Sequence, residues 1–268
     1  MARPGRRLPH LLLRYAPLFS RLRRIPIFGD FLSWVSRQLV PAGTLLSVQI
    51  EGGPAQGLWI YVNPRTGFNF QQGIGEPKVQ WAMQQYLCPG MAFYDLGANI
   101  GFFSLLAARL VGPSGRVFSF EADPEIAARL RENLNRNGFT HALVVEEAVW
   151  SKSGNVPFAR AESNVSPDRG LGHVLSGDAP PVRTINVRAT SLDDFVLSHA
   201  APQFVKCDVE GAEVAVFQGA ERMLREVRPI LLVEMHSTEN HLALTQKFAE
   251  FGYSCSKLDE NHLLALPQ

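Results

Sequence analysis

Short apolar runs alternate with stretches of helical periodicity from residue 93 to the end of the chain. The runs lie at residues 93–95, 116–121, 142–145, 204–208 and 230–236, and most of them end in an acid or a histidine, which is typical of buried parallel strands. Residues 102–110, 124–137, 212–224 and 238–251 have the apolar spacing of helices. This alternation predicts an α/β fold built on a mainly parallel sheet.

The flanking segments show a different pattern. Residues 44–63 alternate apolar and polar positions around a glycine turn, which predicts a β-hairpin with strands at 46–50 and 58–62. Residues 64–75 are interpreted as a glycine-rich connection and residues 76–87 as a helix, whose first residue, Glu76, either faces a ligand or only favours the helix dipole. Residues 253–258 and 262–266 predict a closing hairpin, with His262 on the surface.

Residues 1–43 are distinguished by their charge, since several arginines precede the first acid at Asp30. Their apolar runs are too short for a membrane-spanning helix or a secretory core. One interpretation is a basic amphipathic arm on an anionic membrane surface. The other, which we prefer, is a helical extension packed on the main domain. The predicted organisation is therefore an extension at 1–43, a hairpin and connection at 44–75, and the main domain at 76–268.

Composition narrows the function classes. The chain has 268 residues, 46% of them hydrophobic, and a formal net charge of +1, which gives no reason to expect nucleic acid as a partner. Its three cysteines show no metal-binding spacing and are expected to be reduced thiols of a cytoplasmic protein. Residues 162–181 are rich in Ser, Gly, Asp and Pro and predict a substrate lid or a disordered loop, with His173 as a solvated loop residue.

The candidate cofactor site begins at the turn after the first strand of the predicted sheet. Asp95 closes that strand, Gly97 and Gly101 follow in the turn, and Glu121 ends the next strand, where nucleoside-binding units place a carboxylate for the ribose hydroxyls. A dinucleotide turn has three glycines arranged to receive a pyrophosphate, and this turn lacks that spacing. Because a carboxylate suits a ligand with an ammonium and a sulfonium, the pattern favours S-adenosylmethionine over NAD.

Three segments together resemble the FkbM family of S-adenosylmethionine-dependent methyltransferases. They are Tyr-Asp-Leu-Gly-Ala-Asn-Ile-Gly at 94–101, Phe-Glu-Ala-Asp-Pro at 120–124 and Lys-Cys-Asp-Val-Glu-Gly-Ala-Glu at 206–213. The resemblance extends from about residue 75 to the C-terminus, and Ala122 departs from the proline that is usual in the family. It implies a doubly wound, Rossmann-like class I methyltransferase sheet that is mainly parallel with an antiparallel last strand. It also implies methyl transfer, most readily to the hydroxyl of a small molecule, sugar or secondary metabolite.

The expected cofactor-binding residues surround the predicted turn and the ends of the neighbouring strands. They are Asp95, Gly97, Ala98, Asn99, Gly101, Glu121, Ala122, Glu147 and Asp208. Glu147 is proposed to accept a hydrogen bond from the adenine amino group, although an ordinary surface charge is the alternative.

A second set of polar residues follows two other strands. Asp208 and Glu210 are two apart and should share a strand face, as should Glu234 and His236. His236 is the expected base, since a neutral imidazole can accept a hydroxyl proton near neutral pH, and Asp208 and Glu210 are assigned to the same catalytic group. In the alternative interpretations Asp208 only binds the methionine ammonium while the glutamates cap helices, or the carboxylates and His236 bind a divalent metal ion. No metal is the preferred expectation.

Two rival functions use the same features. An NAD(P)-dependent oxidoreductase would also have an acid after its second strand. A non-catalytic module could bind a membrane surface through the basic arm. The sequence does not identify the acceptor.

Overall fold

The computed structural model describes residues 44–63, 67–160, 173–174 and 183–268. Its strands are β1 Leu46–Gln49, β2 Trp59–Val62, β3 Ala92–Leu96, β4 Arg116–Phe120, β5 Ala142–Val145, β6 Ala148–Val149, β7 Gly154–Arg160, β8 His173–Val174, β9 Arg183–Thr190, β10 Phe204–Cys207, β11 Ile230–Glu234, β12 Tyr253–Lys257 and β13 His262–Pro267. Its α-helices are α1 Phe68–Gln72, α2 Pro77–Tyr86, α3 Phe102–Val111, α4 Pro124–Arg136, α5 Leu192–Phe195, α6 Glu213–Gln218 and α7 Thr238–Glu250.

The main sheet has seven strands in the order β12-β13-β11-β10-β3-β4-β5. Strands β11, β10, β3, β4 and β5 are parallel, and β13 is antiparallel to both of its neighbours, β11 and β12. Apolar side chains of α3 and α4 pack on one face, and those of α5, α6 and α7 pack on the other. The predicted doubly wound sheet with an antiparallel last strand is confirmed. Its carboxyl edge brings the ends of β3, β4, β10 and β11 together.

The N-terminal hairpin is part of the core on the α3 face. Strands β1 and β2 pair antiparallel as predicted, and Ile60 and Val62 join the cluster that contains Leu105. Side chains of Asn133 on α4 and of Asn137, directly after α4, accept hydrogen bonds from the backbone of β2 at 2.7 and 2.8 Å. The connection expected at 64–75 contains the short helix α1, which ends at Gly73 in the left-handed region. The glycine-rich composition of residues 64–75 predicted a loop and gave no indication of this helix.

A second, four-stranded sheet has the order β6-β9-β7-β8 and was not predicted. Its two longest strands, β7 and β9, pair antiparallel with each other. The lid expected at 162–181 lies outside the described residues, except that residues 173–174 form β8 instead of a loop. The extension expected at 1–43 also lies outside them. Within the described ranges, no helix has the length and apolar character needed to cross a membrane.

The helix predicted at 212–224 is interrupted. Helix α6 ends at Gln218, and a π-helical turn, Met223–Val227, follows. The chain turns at Gly219, where a Cβ atom would lie 2.5 Å from the carbonyl oxygen of Trp150. Only glycine can approach that backbone so closely, and the continuous helix predicted at 212–224 is wrong.

Candidate active site

The turn after β3 brings two strand ends into contact. Gly97 has a φ of +75°, and a Cβ atom there would overlap the carbonyl oxygen of Asp208 at the end of β10. Gly101 has a φ of +90° and precedes the first residue of α3. The two glycines therefore let the turn adopt left-handed backbone conformations and lie directly against the neighbouring strand.

Asp95 lies beneath this turn and is fully buried. Its Oδ2 atom accepts a 2.6 Å hydrogen bond from Ser104 Oγ, while Oδ1 has no hydrogen-bond partner among the residues that the structure describes. Burial raises the pKa of Asp95, although the nearby Lys206 ammonium opposes that shift. The turn is consequently lined by a carboxylate with one acceptor atom unused.

Glu121 faces the turn from the end of β4. Its two carboxylate oxygens accept hydrogen bonds from the backbone amides of Asn99 and Asp123, both at 2.9 Å. The side chain is buried, and this burial raises the pKa of Glu121 to about 7 despite the two amides. Ala98 and Ala122 are also buried beside the turn. Glu121, Ala98 and Ala122 therefore all lie at the turn after β3.

Arg160 and Asp123 form a part of this region that sequence reasoning missed. Arg160 Nε lies 2.6 Å from Asp123 Oδ2, and Arg160 also contacts Glu125 at 2.9 Å. Asp123 caps α4 by accepting from the amide of Glu125. The contact joins the second sheet to the loop that carries Glu121. The Asp-Pro-Glu start of α4 indicated the cap, but nothing local indicated an arginine 37 residues away.

Glu147 lies apart from the turn, between β5 and β6. Its side chain is 20% exposed and forms a 3.1 Å ion pair with Arg188, whose side chain is largely exposed. Such a solvated ion pair contributes little to stability. The contact with adenine stays a prediction.

Lys206 is a buried cation that lies close to both Asp95 and Asp208. It is buried on β10 in register with Asp95 on β3, and its Nζ lies 3.2 Å from Asp208 Oδ2 and 5.0 Å from the centre of the Phe103 ring. Burial disfavours the ammonium, but the charges of Asp208 and Asp95 outweigh it and raise the pKa of Lys206. Sequence reasoning had given Lys206 no role.

His236 lies among three carboxylates. Its Nδ1 is 2.9 Å from Glu213, and its Nε2 is 3.3 Å from Glu210 and 3.7 Å from Asp208. The hydrogen bonds to Glu210 and Glu213 raise its pKa to about 10. These carboxylates stabilise the protonated ring, whereas the expected base is the neutral imidazole, so that role stays a prediction.

Asp208, Glu210 and His236 lie close together as expected, but not because Asp208 and Glu210 share a strand face. Strand β10 ends at Cys207, so no strand face carries Asp208 and Glu210. Glu210 instead adopts a left-handed conformation with a φ of 55°. Glu213, which the motif contained but the prediction overlooked, is fully buried and also accepts from the amide of Gly211 and from Asn240.

A third group of side chains lies at the ends of β11 and β13. His262 is 6% exposed, so its predicted surface position is wrong; β13 lies inside the sheet, paired with β11. Its Nε2 lies 3.4 Å from Glu76 Oε2 and 3.8 Å from Glu234 Oε2. Burial, followed by the charges of Asp208 and Glu76, raises the pKa of Glu234. The Glu76 side chain thus points into the cleft and makes no capping hydrogen bond to α2.

Comparisons with known proteins agree with this geometry. A family model described as the methyltransferase FkbM domain matches residues 95–255, more than half of the chain. A protein-L-isoaspartate O-methyltransferase of Aeropyrum pernix is 42% identical over 88 residues, which cover 32% of this chain and 33% of that relative. The hexuronic acid methyltransferase AglP of Haloferax volcanii is 29% identical over 159 residues, 59% of this chain and 61% of that relative. The chain thus matches less than two thirds of either relative.

One solved structure is similar over most of the chain. It is a crystal structure of methyltransferase FkbM from Methylobacillus flagellatus KT, with a TM-score of 0.49 and 16% sequence identity. The match covers 96% of this chain and 60% of that one.

Proposed function

Because the chain belongs to the methyltransferase FkbM domain family, we propose that it transfers the methyl group of S-adenosylmethionine to a hydroxyl oxygen of a small-molecule acceptor. The observation that carries the proposal is the position of Glu121. Its carboxylate is bound to the amide of Asn99 in the glycine turn and lies at the end of the second parallel strand. A nucleoside with free ribose hydroxyls fits this arrangement, since both hydroxyls can donate to the carboxylate.

The charges on the β10 side favour a cationic ligand. Asp95 and Asp208 lie beside Lys206, so the three side chains together carry one net negative charge when all are ionised. Asp208 is 21% exposed in its side chain and can reach an ammonium, while Asp95 Oδ1 stands unpaired below the turn among the described residues. S-adenosylmethionine supplies an electrophilic methyl group on a sulfonium. Asp208 and Asp95 would orient its methionine end by charge.

We assign proton transfer from the acceptor to His236. Its Nδ1 is directed at Glu213, which fixes the ring and leaves Nε2 facing the cleft between Asp208 and Glu210. The neutral ring can accept the hydroxyl proton at Nε2. Because its pKa is about 10, the reactive fraction grows with pH through the neutral range. Positioning of acceptor and donor and exclusion of water provide the remaining catalysis.

A sugar is the acceptor class with the most support. The AglP relative is described as a hexuronic acid methyltransferase, and its match covers more of this chain than the isoaspartate enzyme's match does. We therefore infer a hydroxyl-bearing carbohydrate, with other small alcohols and secondary metabolites as outcomes of the test. Residues 162–181, assigned to a lid in the sequence analysis, stay the predicted source of specificity.

Two measurements test the proposal. In calorimetry, S-adenosylhomocysteine should bind the full chain and NADH should not, and Asp208→Asn should weaken binding about tenfold or more, since it removes a charged hydrogen bond. Leu197→Ser, at an exposed position in the described part of the chain, is the matched control. Binding of NADH without S-adenosylhomocysteine would support the oxidoreductase alternative and overturn the proposal.

Transfer of labelled methyl groups should then be screened over uronic acids, neutral sugars and phenolic alcohols, with an isoaspartyl peptide included. We expect label in a carbohydrate hydroxyl. Label only in the peptide would reject the hydroxyl assignment. The membrane module, the third alternative, predicts liposome binding that is lost on deletion of residues 1–43 together with no methyl transfer. Cytoplasmic location stays a prediction.

A further inference from the structure

The residues Glu76, Glu234 and His262 form a compact group, the β11–β13 triad, at the ends of β11 and β13. They come from three separate parts of the fold: the residue before α2, the end of β11 and the start of β13. One ligand atom from each lies within 4.8 Å of the others. None of these residues has a role in the function proposed above.

The triad contains buried polar atoms that the protein does not use. His262 Nε2 and Glu76 Oε2 are buried and make no hydrogen bond to any residue in the described ranges. They lie 3.4 Å apart, which is ion-pair distance when the imidazole is protonated, but no hydrogen bond joins them. A buried nitrogen or carboxylate oxygen without a hydrogen bond is energetically unfavourable. Two such atoms facing each other, with Glu234 Oε2 3.8 Å from the imidazole, indicate a missing partner.

The orientation of His262 provides a second indication. Its Nδ1 lies 2.8 Å from Asp259 Oδ1, and the same oxygen accepts from the backbone amides of Asn261 and His262 at 3.0 and 2.9 Å. Asp259 is thereby fixed, and it fixes the ring so that Nε2 points to the two glutamates. A carboxylate that holds one imidazole nitrogen while the other is free is the usual support of a histidine metal ligand.

We propose that Glu76, Glu234 and His262 bind a divalent first-row transition-metal ion, with Zn²⁺ or Mn²⁺ as the chemical class. One imidazole with two carboxylates suits such ions, and two negative charges balance the charge of the ion. Atoms bound tetrahedrally at about 2.1 Å from a metal lie about 3.4 Å apart. The observed separations of 3.4 and 3.8 Å from Nε2 are close to this value.

A competing set shares Glu234 but uses Asp208 and His236. Both ring nitrogens of His236 already face carboxylates, Nδ1 at 2.9 Å and Nε2 at 3.3 Å, and Asp208 is paired with Lys206 at 3.2 Å. Nε2 of that histidine is assigned to proton transfer from the acceptor, and its side chain is 24% exposed, whereas that of His262 is 6% exposed. The geometry therefore favours the β11–β13 triad, which differs from the metal-binding alternative considered from the sequence.

The test is calorimetric titration of the metal-free full chain with ZnCl₂ and, separately, MnCl₂. We expect one ion per chain. Glu76→Gln should weaken binding at least tenfold, because it replaces a charged ligand. Asp259→Asn should weaken it about 10–100-fold through the orientation of His262. His236→Gln is the matched control and should change the affinity less than threefold. Titration with Co²⁺ adds an absorption spectrum that reports the ligand set.

Three results would overturn the proposal: no binding of either ion to the wild type, unchanged binding in Glu76→Gln, or binding lost in His236→Gln but kept in Glu76→Gln. The last result would assign the ion to the competing set. Thermal unfolding of each variant verifies that it is folded. Binding of S-adenosylhomocysteine is measured on the same samples, so that failure of the metal site is distinguished from failure of the proposed methyl transfer.

Discussion

Cofactor affinity should depend on the protonation of Glu121. Burial raises the pKa of this carboxyl to about 7 in the cleft without ligands. Ribose hydroxyls bind the ionised form better, because a charged acceptor makes stronger hydrogen bonds. The sign follows: affinity is greatest above the pKa and falls as the pH decreases through it. With a pKa of about 7, the ionised fraction at pH 6 is about one tenth of that at pH 8, so the affinity falls about tenfold, or about 1.4 kcal/mol.

Calorimetry with S-adenosylhomocysteine between pH 5.5 and 8.5 measures this dependence. Glu121→Gln should bind more weakly and show little pH dependence in the same range. The control is Glu234→Gln, because burial also raises the pKa of Glu234 but this residue lies at the β11–β13 triad. His236 stays protonated across the range, given its pKa of about 10. A wild-type affinity that does not change with pH, or a slope that persists in Glu121→Gln, would refute the reasoning.

Three further predictions concern the turn, the proposed base and the helix interruption. Gly97→Ala should lower the free energy of unfolding by at least about 2 kcal/mol in urea, because alanine disfavours a φ of +75° and its Cβ would overlap the Asp208 carbonyl. A decrease below about 0.5 kcal/mol would contradict the assigned contact. His236→Gln should lower kcat/KM about 100-fold and abolish the rise of kcat/KM between pH 7 and 9. Its affinity for S-adenosylhomocysteine should stay within about threefold of wild type. An unchanged pH profile would exclude His236 as the base. Gly219→Ala should lower stability by about 1–3 kcal/mol, measured as a shift in the urea midpoint, because its Cβ would lie 2.5 Å from the Trp150 carbonyl. Gly138→Ala, at a position with open space but a φ of +70°, is the control for Gly97→Ala, because it shows the effect of backbone strain without overlap.

The core strands and the cofactor turn could be predicted because local patterns determine them. Buried strands of a parallel sheet are mostly apolar, and β3 and β10 follow this pattern apart from Asp95 and Lys206, although both strands are buried along their whole length. The spacing of Asp95, Gly97 and Glu121 reflects one continuous strand–turn–helix–strand unit, so their proximity at the turn followed from short sequence separation. Close contacts of this kind do not depend on the rest of the fold.

Contacts across the fold could not be predicted in the same way. His262 was assigned to the surface, and its burial depends on the insertion of β13 beside β11. The charge of His236 depends on Glu210, which follows β10, and on Glu213, which reaches it from α6. The interruption after α6 depends on the approach of Trp150. Each of these results from tertiary packing that overrides local propensity.

The contact between Arg160 and Asp123 has a mechanical consequence. It fastens the last residue of β7, in the second sheet, to the loop two residues beyond Glu121. If binding of an acceptor shifted that sheet, the bidentate ion pair would transmit the shift to Glu121, the carboxylate proposed to bind the ribose. By thermodynamic linkage this coupling is reciprocal: if the acceptor changes the affinity for the cofactor by some factor, the cofactor changes the affinity for the acceptor by the same factor.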